Sequence, residues 1–160
     1  YGMKHLKELG IIPAIVDSIN KGRPFLGICL GLQFLFTETE EYGLHKGLDI
    51  IKGRVKKIPN TGSIKIPHMG WNQVRFTSLQ AASWSKGTIF DGVPDNSYFY
   101  FVHSYYVKPE NRDVIAATTN YAVEFASAVV RDNVYGVQFH PEKSGEIGLR
   151  ALENFYKKIV

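Results

Sequence analysis

The chain carries a single cysteine among its 160 residues. No intramolecular disulfide can form, which removes the disulfide-stapled scaffolds and is consistent with a reducing compartment. No apolar run approaches the roughly 20 residues needed to cross a bilayer as a helix. The opening YGMKHLKELG has neither the apolar core nor the cleavage site of a signal peptide, and the cytoplasm is the expected location. Long blocks of one charge are missing too. The formal net charge is +4, from 19 Lys and Arg against 15 Asp and Glu. The positive residues are scattered except for Lys52, Arg54, Lys56 and Lys57, and the pair Lys157 and Lys158. Such groups suit a solvated sheet or helix face first, and a phosphate-carrying substrate on a partner, or nucleic acid, second. No P-loop, dinucleotide fingerprint or nucleic-acid module accompanies them. One cysteine with scattered histidines offers no zinc-type ligand spacing, so neither metal nor cofactor is expected.

What is present describes an ordinary globular domain. Hydrophobic residues make up 44% and charged residues 21%, and the length suits one core, so residues 1–160 are read as a single domain. Helical spacing of apolar residues covers Met3–Leu9 and Pro13–Asn20. Lys21-Gly22-Arg23-Pro24 breaks the pattern, and Phe25–Ile28 reads as a short buried strand. After Cys29 the spacing of Leu32, Leu35 and Phe36 predicts a helix that ends in the acidic stretch Thr37–Glu41. Strands are expected at Ile51–Ile58, Trp71–Phe76, Ser97–Val107, Val114–Thr119, Ala126–Arg131 and Val134–Phe139, with a turn at Asn60–Ser63. Gly148–Ile159 closes the chain as an amphipathic helix. An α/β fold follows, its sheet partly parallel early and more antiparallel later.

The sharpest local signal is Gly27-Ile28-Cys29-Leu30-Gly31, between an apolar strand and a helix. It is the cysteine form of a nucleophile elbow. A nucleophile on a tight strand-to-helix turn crowds the residues two before and two after it, so glycine is expected at both. The helix start would aim backbone N–H groups at the sulfur, favouring thiolate, with Leu30 N–H as the first oxyanion donor. The competing reading is a buried structural cysteine.

A thiol nucleophile needs a base, and the base an orienter. Of the five histidines, His140 is the best candidate. It follows the strand ending at Phe139 and precedes Pro141-Glu142. A carboxylate two residues on, across a stiff proline, can accept a ring N–H and fix the tautomer. A strand-end surface histidine would look the same in isolation; the two segments together point to a Cys29, His140, Glu142 triad.

These segments resemble a family. Pro24–Gln33 (PFLGICLGLQ) and Val134–Ser144 (VYGVQFHPEKS) are similar to class I, triad-type glutamine amidotransferases. The resemblance implies a flavodoxin-like mixed sheet flanked by helices, and glutamine hydrolysis through a glutamyl thioester with ammonia passed to a synthase. Pro67–Asn72 (PHMGWN) and Tyr100–Tyr105 (YFVHSY) are similar to the glutaminase subunits of imidazole glycerol phosphate synthases. That similarity implies a heterodimer with a barrel-shaped, HisF-type cyclase subunit. It implies that Gln33, Glu41 and Ser104 hold glutamine, and that Met69, Trp71, Tyr98, Tyr100 and Lys143 face the partner. On composition alone Tyr98 and Tyr100 would read as core, and Gln33 and Glu41 as solvated helix residues.

Family members begin with a strand–helix–strand segment and a Pro-Gly-rich loop that supplies a second oxyanion donor. The resemblance places Tyr1 just beyond that loop, so an N-terminally incomplete domain is expected. Two alternatives stay open. One is a glutaminase serving anthranilate, guanylate or sugar amidation. The other is a non-catalytic interaction fragment.

Overall fold

The computed structural model describes residues 2–62, 64–77 and 88–159, and side chains through Lys157. Ser63 of the expected turn, and the side chains of Lys158 and Ile159 in the closing helix, lie outside the described residues. Two helices open the chain, α1 (Gly2–Glu8) and α2 (Ile12–Asn20). Pro13 sits in the first turn of α2, where its missing N–H costs nothing, and Ile19 turns inward. Strand β1 (Phe25–Ile28) leads through Cys29 into α3 (Leu30–Phe34).

The chain then departs from the helical expectation. Phe36–Thr39 is a strand, β2, with the two-residue β3 (His45–Lys46) beside it. Leu32, Leu35 and Phe36 satisfy helical spacing, and all three are fully buried. Phe36, however, pairs parallel with Ile51 of β4 (Ile51–Lys57), and the β-branched Thr37 and Thr39 favour the extended form. Sheet pairing settles what the local pattern left ambiguous.

The strands β4, β5 (His68–Phe76), β6 (Ser97–His103), β7 (Tyr105–Pro109), β8 (Ile115–Tyr121), β9 (Val123–Arg131) and β10 (Val134–Val137) follow. The single strand expected over Ser97–Val107 is two. The chain bends at Ser104, whose carbonyl accepts from Ile58 N–H at 2.9 Å; β6 stays with β5 while β7 crosses to β4. Helix α4 runs Gly145–Asn154, three residues earlier than expected, and Phe155–Ile159 continues it as a π turn.

Among the described residues one sheet runs in the order β3-β2-β4-β7-β9-β8-β5-β6, with β10 joined to β9 and β1 to β10. The pairs β1–β10 and β2–β4 are parallel and the others antiparallel, as the sequence reading has it. One core cluster gathers Val74, Phe99, Phe101, Phe125, Val137 and Phe139; the other gathers Leu32, Leu35, Phe36, Ile51, Val55 and Val107. The basic group on β4 is a solvated face. Arg54 pairs with Glu38 at 2.5 Å and Lys52 with Asp49 at 2.6 Å. Among the described residues no helix is long and apolar enough to cross a membrane.

Candidate active site

Cys29 sits between β1 and α3 with φ 49° and ψ −102°. A non-glycine residue held there costs on the order of 1–3 kcal/mol and persists only where its surroundings enforce it. The enforcement is visible. Cys29 N–H donates to Val137 O at 2.8 Å, and Cys29 O accepts from Gln33 N–H at 3.2 Å. The strand before the elbow and the helix after it are both fixed. A Cβ built on Gly27 would lie 2.7 Å from the backbone carbon and oxygen of Gly31 and 2.8 Å from Leu32 N. The expected crowding is therefore real at Gly27. At Gly31 it is not: a Cβ there meets nothing within 4 Å. The contact is one-sided because the backbone of Gly31, rather than the space for a side chain, faces Gly27.

The half-buried sulfur has three polar neighbours. Gln138 Nε2 donates to Sγ at 3.6 Å, Sγ–H is directed to Val102 O at 3.9 Å, and Leu30 N–H is hydrogen-bonded to the thiol. Burial pushes the Cys29 thiol above its ordinary value; the Leu30 and Gln138 donors pull it down, and the carboxylates of Glu142 and Glu41 push it up. The expected thiolate bias is thus overturned in the resting molecule. Desolvation outweighs the two N–H donors. Leu30 N–H nonetheless acts on the thiol, lowering its pKa against the burial.

His140 follows β10 and heads a 3-10 turn over Pro141–Lys143. Its Nδ1 meets Glu142 Oε1 at 2.6 Å, the charge-assisted bond that the His-Pro-Glu spacing predicts. A carboxylate accepts only, so Nδ1 carries the hydrogen and Nε2 is the acceptor nitrogen of the neutral ring. The parallel register Ile28↔Val137 sets Cys29 and His140 at the same end of neighbouring strands. The thiol's hydrogen-bond partners are Gln138, Val102 and Leu30 rather than the imidazole.

The backbone of His140 is clamped as well. His140 N–H donates to Tyr100 O at 2.8 Å. Ser144 Oγ donates to His140 O at 2.6 Å and accepts from Tyr100 N–H at 2.9 Å. Ser144 is 2% exposed, so this ring is shielded from water.

Gln33 is buried rather than solvated, because α3 turns it under the elbow. Its Nε2 donates to Tyr105 O at 3.1 Å and to Gln138 Oε1 at 3.3 Å. Glu41 follows β2 in a turn, its N–H bound to Thr39 Oγ1, and its charge reaches the Cys29 sulfur. Ser104 occupies the bend two residues beyond Val102.

Four of the five residues expected to face a partner lie on the paired strands β5 and β6. Trp71 pairs across strands with Tyr100, and their rings meet edge-on at 6.0 Å. Met69, Trp71 and Tyr98 are each more than half exposed, and Lys143 is exposed nearby in the His140 turn. Phe99, Phe101 and His103 alternate with the tyrosines and point inward. Sequence reasoning missed Gln138, Ser144 and a buried pair, His68 Nδ1 and His103 Nε2, 2.9 Å apart. A polar residue inside the apolar run Val134–Phe139 was the one available signal for Gln138.

The family model for class-I glutamine amidotransferases matches residues 2–159. The imidazole glycerol phosphate synthase subunit HisH of Moorella thermoacetica is 49% identical over 153 residues, covering 96% of this chain and 69% of that protein. The same-named subunit of Syntrophotalea carbinolica is 50% identical over 158 residues, covering 96% and 73%. A glutamine amidotransferase of Thermotoga maritima shares the fold with a TM-score of 0.59 at 22% identity, over 91% of this chain and 52% of that one. Another solved glutamine amidotransferase gives 0.64 at 17% identity, over 94% and 71%. The chain therefore spans about half the length of the first of these structures and about seven tenths of the HisH relatives.

Proposed function

Because this chain belongs to the class-I glutamine amidotransferase family, we propose that it is the cytoplasmic glutaminase subunit of an imidazole glycerol phosphate synthase. Residues 1–160 act as one glutaminase domain whose ammonia feeds a barrel-shaped cyclase subunit in histidine biosynthesis. The observation that carries this reading is the elbow. A strained cysteine just past β1 lies at the same end as the parallel strand β10, which is followed three residues on by a histidine held by a carboxylate at 2.6 Å. The HisH relatives support the choice of cyclase over other ammonia acceptors.

The chemistry follows from the positions. His140 Nε2 takes the Cys29 thiol proton, and Sγ attacks the carboxamide carbon of glutamine. Leu30 N–H binds the oxygen as it becomes anionic. The tetrahedral adduct collapses when His140 returns the proton to nitrogen; ammonia leaves and a thioester remains. His140 then draws a proton from water, which attacks the thioester, releasing glutamate and the thiol. Glu142 holds the tautomer and stabilises the imidazolium formed twice per cycle. Glu41 balances the ammonium of the substrate, with Gln33 and Ser104 beside it. Met69, Trp71, Tyr98, Tyr100 and Lys143 form the docking face, and two aromatic anchors on adjacent strands suit a partner hot spot.

The test is glutamate release from glutamine by this chain, alone and with an imidazole glycerol phosphate cyclase subunit and its ribonucleotide ligand, beside Cys29→Ala. Release that the cyclase stimulates and Cys29→Ala abolishes is expected. Release that survives Cys29→Ala would remove the nucleophile, and stimulation by a different synthase subunit instead would reassign the partner.

A further inference from the structure

Gln138 is fully buried, and its carboxamide has a defined orientation that a chain of three contacts dictates. Tyr105 O is a carbonyl and can only accept, so the group of Gln33 facing it is NH2, at 3.1 Å. The same NH2 presents its second hydrogen to Gln138, so the atom of Gln138 that receives it, at 3.3 Å, is Oε1. The other end of Gln138, its NH2, must then face the Cys29 sulfur, where it lies at 3.6 Å. One backbone carbonyl thus fixes two amide orientations, and the last N–H in the series ends on the reacting atom.

We propose that Gln138 is a catalytic residue whose carboxamide N–H holds the Cys29 sulfur as an anion, and that Gln33 is the positioning residue that keeps that N–H turned toward it. The inference rests on the reading of Cys29 as the nucleophile. In the resting thiol the S–H hydrogen points to Val102 O, and the Gln138 N–H already donates to the sulfur. When the S–H bond breaks, its proton goes to His140 Nε2 and the electron pair stays on sulfur. The Val102 carbonyl then has no hydrogen to accept, whereas the donors Gln138 and Leu30 keep their partner and bind it more strongly as its charge grows. Burial opposes this ionisation and the carboxylates of Glu142 and Glu41 oppose it further, so a fixed donor in the same buried space is what offsets them. The half-buried site strengthens the donor's effect for the same reason that it penalises the charge.

The test uses the rate at which iodoacetamide alkylates the protein, followed by mass spectrometry across pH. Cys29 is the only thiol in the chain, so the rate reports it alone. Gln138→Met keeps the volume and removes the donor; its alkylation midpoint is expected to rise by about one pH unit, with about tenfold slower alkylation at neutral pH. Gln33→Met frees the Gln138 amide to turn and is expected to shift the midpoint in the same direction by less. A midpoint within about 0.2 units of the parent's in Gln138→Met with native far-UV circular dichroism would overturn the proposal. Should Gln138→Met fail to fold, an unmoved midpoint in Gln33→Met overturns it equally. Glutamate release that persists in Cys29→Ala would instead defeat the nucleophile assignment on which the inference stands.

Discussion

Replacing each elbow glycine by alanine separates two explanations for why the pair is there. In Gly27→Ala the new methyl would stand 2.7 Å from Gly31 carbon and oxygen, against about 3.4 Å for ordinary contact. The neighbours are backbone, so α3 must retreat by about 0.7 Å or β1 must leave its register with β10. Overpacking of this kind costs about 1–3 kcal/mol. At about 2–4 °C per kcal/mol for a protein of this size, the melting temperature falls by about 2–12 °C. Gly31→Ala meets open space, and a helical alanine gains about 0.5–1 kcal/mol over glycine, so its melting temperature rises by about 1–4 °C. Thermal unfolding followed by circular dichroism measures both. An unchanged Gly27→Ala, or a Gly31→Ala less stable than Gly27→Ala, would refute the one-sided account of the elbow.

Two further outcomes are expected. Burial, with its neighbour's charge, holds His68 at about 3, and burial holds His103 at about 4, both below the ordinary histidine range. Each stays neutral in the fold while its unfolded counterpart protonates below about 6.5. Stability is therefore full above that pH and falls as the solution is acidified toward 4; His103 alone loses roughly 2 kcal/mol by pH 5. Urea midpoints at pH 7 and pH 5 check the sign, and equal midpoints would contradict it. Ser144→Ala removes a buried hydroxyl that bridges Tyr100 N–H and His140 O. It is expected to cost about 1–3 kcal/mol of stability. It is also expected to lower glutamate release more than the same loss of stability does when introduced by a core variant remote from His140; matched activities would show that the bridge is structural only.

The parts of the site carried by contiguous residues were legible. Gly-Ile-Cys-Leu-Gly and His-Pro-Glu each place their groups within five residues, so local sterics define the geometry before the fold does. Gln138 was not legible because its partner sulfur is 109 positions away and meets it only through the β1–β10 pairing. Phe36 was misread because burial at i, i+3 and i+4 is also what a strand following a short helix produces. Tyr98 and Tyr100 alternate with Phe99 and Phe101, four aromatics in a row, and hydrophobicity alone assigns no face to such a run. The direction of the thiol's displacement depends on desolvation, a property of the packed interior that no single segment of sequence carries.

Strand β6 has an outer face bearing Tyr98 and Tyr100 and an edge whose carbonyls serve the site. Tyr100 O holds the histidine backbone and Val102 O receives the thiol hydrogen. Those two carbonyls are one pleat apart, a repeat of roughly 6.6 Å that an extended chain cannot stretch. The strand is thus a ruler with a handle. Any displacement of the outer aromatic rings is carried to the anchors of His140 and Cys29 together, without altering the interval between them, because both hang on the same seven residues.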